Sequence, residues 1–121
     1  KHIIKNNNKS IILESIKVKH GKINSIMYKI NNTCAYVSDV SKVNPKDFKR
    51  IKKLKYLIVD CLRYDSHPSH FNLKDVFELV SIIKPKKTIL TNMNNEIDYK
   101  EVQKILPKNI IPAYDGMSFL I

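Results

Sequence analysis

At 121 residues the chain has the length of a single domain. Its 43% hydrophobic content is enough to furnish a core, which excludes a disordered tail. No apolar run approaches the roughly 18 residues of a membrane span, and no signal-peptide pattern is present, so the sequence predicts no membrane association.

The formal charge of +11 would ordinarily suggest nucleic acid or an anionic surface. Lys, Asn and Ile, however, supply 50 of the 121 positions, a skew that fits AT-rich coding and inflates lysine without a binding purpose. Arginine, the better bidentate reader of phosphates and bases, occurs only as Arg50 and Arg63. The lysines are scattered and no aromatic residues interleave with them, so they read first as solvated surface and only second as a nonspecific RNA or DNA contact.

In chain order, residues 1–10 (KHIIKNNNKS) are polar and low in complexity and are expected to fray. From Ile11 to Lys19, Ile12, Glu14, Ile16 and Val18 alternate with Leu13, Ser15 and Lys17, a strand pattern. His20-Gly21 turns into a second strand, Ile23 to Ile30. Asn31-Asn32 turns into a third, Thr33 to Val37, which completes an antiparallel meander. Asn44 and Pro45 then suit the cap and first position of a short basic helix running through Lys52. Tyr56 to Val59, ending at Asp60, is a continuous apolar run that fits a strand buried on both faces.

A polar loop, CLRYDSHPSHF, fills 61–71. Asn72 can cap the next helix, in which Leu73, Val76, Phe77, Val80 and Ile83 share a face and which Pro85 stops. Thr88 to Thr91 is a further strand, followed by a helix near Tyr99–Leu106 that Pro107 ends. Ile110 to Tyr114 and Met117 to Ile121 flank Asp115-Gly116, a strong hairpin signal. The predicted class is mixed α/β: antiparallel strands, a β-α-β-α alternation and a closing hairpin. Cys34 and Cys61 lie far apart in apolar stretches and fit no metal-knuckle spacing. They are expected to be buried reduced thiols, which points to the cytoplasm.

The polar residues that could carry chemistry fall at strand ends: His20, Asp39, Asp60, Asn92, and His67 and His70 in the 61–71 loop. One imidazole and one carboxylate at neighbouring strand ends suit Zn or Mn. Taken singly each is weak, because a lone His at a strand end is more often structural and an Asp there is more often a turn former.

Order and context sharpen the reading. The runs AYVSDVS, LIVDCLRYDSHPSHFNL, KKTILTNM, IDY and PAYDGM, in that order over residues 15–121, resemble the C-terminal half of the metallo-β-lactamase superfamily. The likeness is to its phosphodiesterase-like branch. That resemblance implies half of an αββα sandwich over residues 11–121, whose whole holds a pair of divalent metals, Zn or Mn, at one edge. It implies metal-ligand roles for His20 in VKHG and Asp39 in VSDV, and the same role at position 92, where LTNM has Asn92 in place of the expected His. It implies a catalytic role for His70 in HPSH, near the scissile phosphate. Asp60, Arg63 and His67 are expected to support that loop.

Two departures weaken the enzyme reading. The His-x-His-x-Asp-His motif of the family's N-terminal half is missing from these residues, and an amide oxygen is a poor ligand beside imidazole. Two ligands, His20 and Asp39, would then remain where a catalytic zinc site usually has three from the protein. The expectation is a truncated or degenerate metal-dependent hydrolase, opening at Lys1 rather than Met. It would not bind metal tightly by itself and would be inactive alone. It would pair with a separately encoded N-terminal half or form a homodimer through the uncovered surface; the alternatives are a basic nucleic-acid-binding module or a purely structural subunit.

Overall fold

Alternation of apolar and polar residues builds strands here, and the helices form where apolar residues fall three and four apart. The structure, a computed structural model, describes residues 1–6 and 9–121. The strands are β1 (His2–Asn6), β2 (Lys9–His20), β3 (Ile23–Ile30), β4 (Cys34–Val37), β5 (Tyr56–Asp60), β6 (Lys87–Thr91) and β7 (Ile110–Pro112). They make one seven-stranded sheet in the order β1-β2-β3-β4-β5-β6-β7. The first four are antiparallel neighbours, and β4 through β7 run parallel. The mixed α/β class is as the sequence predicts, and no helix is long and apolar enough to cross a membrane among the described residues.

Each parallel connection carries a helix, because parallel neighbours need a crossover long enough to return the chain to the same end of the sheet. A 3₁₀ turn at Pro45–Asp47 runs into α1 (Phe48–Ile51) between β4 and β5. The Asn44 side chain accepts the Lys46 N–H at its start. Between β5 and β6 lies α2 (Leu73–Ile83). Its cap is reciprocal: Asn72 Oδ1 accepts the Asp75 N–H and Asp75 Oδ2 accepts the Asn72 N–H. Lys84, at φ 50°, closes it just before Pro85. Between β6 and β7, α3 (Tyr99–Ile105) is capped by Asp98, which takes the Lys100 and Glu101 N–H groups.

Because side chains alternate across a strand, Ile16, Val18, Met27, Ala35, Val37, Leu57, Val59, Leu90 and Ile110 face the helices. They join Ile51, Val76, Leu79, Ile83 and Val102 in one buried core. The registered row Tyr28–Tyr36–Ile58–Ile89–Ile111 lies on the other face. That face is covered unevenly. Ile89 is 3% exposed, whereas Tyr28 and Tyr36 are 40% and Ile26 48%. The C-terminal residues lie against its β5–β6 side, where Phe119 packs on Tyr56 at 4.7 Å between ring centroids.

Two expectations are corrected. The N-terminal residues expected to fray instead form β1, pairing His2 with Leu13 through Asn6 with Lys9, because Ile3 and Ile4 supply strand residues opposite Ile12 and Ile11. Asn7 and Asn8, also within that expectation, lie outside the described residues. The closing hairpin does not form. The turn is present, with Gly116 at φ 86° and the Met117 N–H donating to the Tyr114 carbonyl at 3.0 Å. Residues 117–121, however, are not a strand. Pro112 leaves β7 short of a donor on its outer edge, and the tail packs its aromatic ring on the sheet face instead.

Candidate metal centre

The carboxyl ends of β4, β5 and β6 and the end of β2 meet at one edge of the sheet. After β4 and β6 the chain turns within two residues, and both turning residues are left-handed: Asp39 at φ 50° and Asn92 at φ 57°. Asp and Asn tolerate this region better than most L-residues, so backbone geometry is part of the reason these types stand there.

His20 ends β2, and Gly21 follows at φ 60°. A Cβ on Gly21 would meet Ser69 Cβ at 3.1 Å and the Pro68 carbonyl at 3.4 Å, so glycine answers both the turn and the close approach of the 61–71 loop. Its N–H donates to Ser41 Oγ at 2.9 Å, and the Ser41 N–H donates to the Lys19 carbonyl at 2.7 Å. His20 Nδ1 lies 2.6 Å from the Ser69 carbonyl and therefore carries the proton, which leaves Nε2 with its lone pair.

Asp60 is the hub. It is fully buried. Its Oδ2 accepts the Val40 N–H at 3.2 Å and His70 Nδ1–H at 2.6 Å, and its Oδ1 accepts Asn92 Nδ2–H at 3.0 Å. One carboxylate thus ties the turn beside Asp39, the HPSH loop and the β6 turn to the end of β5. A buried charge is tolerable only when so satisfied.

Around this hub, His20 and His70 stack edge to face with ring centroids 4.6 Å apart. His70 Nδ1 lies 4.0 Å from Asp39 Oδ1, and Asn92 Nδ2 lies 3.5 Å from His70 Nδ1. The structure therefore brings His20, Asp39, His70 and Asn92 together. One donor atom each from His20, Asp39 and His70 lie within 4.8 Å of one another.

These donors fit a divalent cation. Bonds of 2.0–2.2 Å imply ligand–ligand edges of about 3.4 Å in a tetrahedral site; the three donors lie within 4.8 Å of one another, and the Asp39 side chain is 58% exposed. Both imidazoles also have their Nδ1 anchored, one on a backbone carbonyl and one on a carboxylate, the arrangement usual for metal-binding histidines. Asn92 differs: its amide nitrogen is committed to Asp60.

The other predicted residues shape the loop. Arg63 donates to the Ser66 carbonyl at 2.7 Å and the Asp65 carbonyl at 3.4 Å, and lies 3.9 Å from Glu96. His67 Nδ1 accepts the Ser69 N–H at 3.3 Å, and its ring sits 5.2 Å from that of His70. Lost hydration, then the nearby Arg63 charge, hold the His67 imidazole below its ordinary range. The sequence did not point to Ser69, Ser41 or Val40, which act through a carbonyl, a hydroxyl and a backbone N–H in turns; the one local signal was Gly21. Nor did it show that Lys17, Lys19, Lys42 and Lys46 gather, with Arg50, around a groove of about 520 Å³ beside β2.

No family model matches the chain, and no curated protein matches it in sequence. Solved structures do. A diphosphatase from the PhnP family is 25% identical over 98% of this chain and 46% of its own, with a TM-score of 0.87. The metallo-β-lactamase fold protein YhfI from Bacillus subtilis is 15% identical, over 96% and 51%, with a TM-score of 0.71. Human tRNase Z, short form, is 14% identical over 95% and 43%, also with a TM-score of 0.71. The chain therefore spans about half the length of the structures it matches, and its fold is that of one part of a metallo-β-lactamase-fold domain.

Proposed function

We propose that the chain is the C-terminal half of a metal-dependent hydrolase acting on phosphodiesters, inactive without a complementary half. The observation that carries this reading is the convergence of His20, Asp39 and His70 at one sheet edge, with the likeness to a diphosphatase as its context. His20 and Asp39 would hold the cation, Zn or Mn. When bound, such a cation supplies ionised water near neutral pH and offsets charge on the phosphoryl oxygens.

The chain's own part in the chemistry is proton delivery. His70 donates Nδ1–H to Asp60, so its Nε2–H, in the imidazolium form, is the proton available to a leaving alkoxide. The buried Asp60 carboxylate holds the ring in that orientation and offsets the imidazolium charge. The uncovered sheet face around Ile26, Tyr28 and Tyr36 would seat the other half, encoded separately or as part of a longer chain; a homodimer is the competing arrangement. The test is to join this chain to an N-terminal half bearing His-x-His-x-Asp-His and to measure Mn- or Zn-dependent hydrolysis of a generic phosphodiester. Activity should appear only in the joined protein and fall about 10²–10⁴-fold in His70→Ala. Equal hydrolysis by the isolated chain, or none by a well-folded joined protein, would refute the proposal.

A second reading, a nucleic-acid contact, draws on the lysine groove beside β2. It requires RNA affinity that falls steeply with salt and is weakened by charge reversal at Lys17 and Lys42; affinity unchanged by that reversal excludes the groove.

A further inference from the structure

We infer that in the isolated chain His70 is the third metal ligand, so that the half-domain closes on one divalent cation with its own proton donor and is thereby held inactive. This rests on the reading of His20 and Asp39 as metal ligands. It departs from that reading over His70, which works as an acid only while its Nε2 is free.

Four observations carry it. A donor atom of His70 lies within 4.8 Å of donors from both His20 and Asp39. Its Nδ1–H is fixed by the Asp60 carboxylate at 2.6 Å, which selects the tautomer whose Nε2 lone pair can bind a metal. His20 is prepared in the same way, with Nδ1 on the Ser69 carbonyl at 2.6 Å. Asn92, at the position the family resemblance assigns to a ligand, has its amide nitrogen turned to Asp60. It therefore acts as a further donor to the hub. With that ligand gone, the remaining imidazole within reach completes a two-His, one-carboxylate set, the three protein ligands usual for a catalytic zinc site with one position left open.

The consequence is a built-in exclusion. An imidazole that gives its Nε2 lone pair to a cation has no Nε2 proton to deliver, so holding the metal through His70 and protonating a leaving group by His70 cannot coincide. A complementary half that brings its own ligands would draw the cation away from His70 and free the ring. No bond beyond metal coordination forms or breaks in this exchange.

The experiment is Co²⁺ and Zn²⁺ titration of the isolated chain, with pulsed electron paramagnetic resonance on a Co²⁺ or Cu²⁺ sample to count coupled imidazoles. One cation per chain and two imidazoles are expected. His70→Gln should lose one imidazole and weaken binding by more than about 100-fold, since losing only a ligand's outer partner costs about 10- to 100-fold. Asp60→Asn should weaken binding by about 10- to 100-fold. If His70→Gln binds like the parent while His20→Ala and Asp39→Ala do not, the third-ligand inference is overturned and the ligand assignment of His20 and Asp39 stands. If no cation binds, or none of the three substitutions changes binding, both fall. Circular dichroism on each variant separates lost ligation from lost fold.

Discussion

Replacing Asp60 by alanine asks whether one carboxylate holds the candidate centre together. The substitution strips the acceptor from three donors: the Val40 N–H at 3.2 Å, His70 Nδ1 at 2.6 Å and Asn92 Nδ2 at 3.0 Å. Val40 is fully buried, and an orphaned buried N–H costs about 1–3 kcal/mol. His70 is half-buried and Asn92 exposed, so both recover water and each adds a smaller share. Relief of the buried charge opposes the loss, but removing one member of a satisfied buried network is the costly direction. About 3 kcal/mol is expected in all, which for a domain of this length lowers the melting temperature by roughly 10 °C.

Asp60→Asn should cost about half as much. Its amide oxygen can take the side with two donors, and its NH₂ can face Asn92, whose own amide then reverses. Asp39→Asn is the control: the residue is exposed and Asn tolerates φ 50°, so stability should stay within about 0.5 kcal/mol. Urea unfolding followed by circular dichroism measures all three. An Asp60→Ala loss below about 0.5 kcal/mol would show that the three loops hold their places without the carboxylate.

Three further outcomes are expected. Both cysteines are fully buried, and loss of hydration pushes the Cys34 thiol up to about 11 and the Cys61 thiol, which also lies near the charges of Asp60 and Asp75, up to about 12. Iodoacetamide should therefore label neither in the native state at pH 8 and both in denaturant. The same shifts act on stability: below the ordinary value of 9.0 the contribution is fully present, and it is lost as pH climbs through the raised values. Native labelling at the denatured rate would contradict the burial.

Glu14 is held below its ordinary 4.5, first by its hydrogen bond to Arg50, against the opposing effect of burial, and then by the Arg50 and Lys29 charges. Its contribution is present above pH 4.5 and is lost as pH falls through the lowered value, so Glu14→Gln should flatten the acid side of a stability profile. An unchanged acid side would mean that the Arg50 pair, at 2.6 Å, contributes nothing net. In a chain rejoined to an N-terminal half, Asn92→His should strengthen metal uptake, because His also tolerates the left-handed backbone found there. Equal uptake with Asn or His would remove position 92 from the ligand set.

The periodic elements were legible in the sequence because their causes are local. Alternation along 11–19 marked β2, Asn72 and Pro85 bounded α2, and the apolar run before Asp60 marked β5. The residues of the candidate centre could be named from motif order, since a His-Gly turn, an Asp turn and the HPSH loop come in a distinctive sequence.

Who touches whom was decided only in three dimensions. Residues 20, 39, 60, 70 and 92 are far apart in the chain, and only sheet order and register bring their strand ends together. Hydrogen bonds made by carbonyls and N–H groups, such as Ser69 to His20 and Val40 to Asp60, carry no side-chain signature and are invisible until the backbone is placed. The same reason governs the tail. Asp115-Gly116 favours a turn in any context, but whether residues 117–121 pair with β7 or lie against the sheet face depends on an edge that Pro112 spoils and on a Tyr56 ring that the local sequence does not contain.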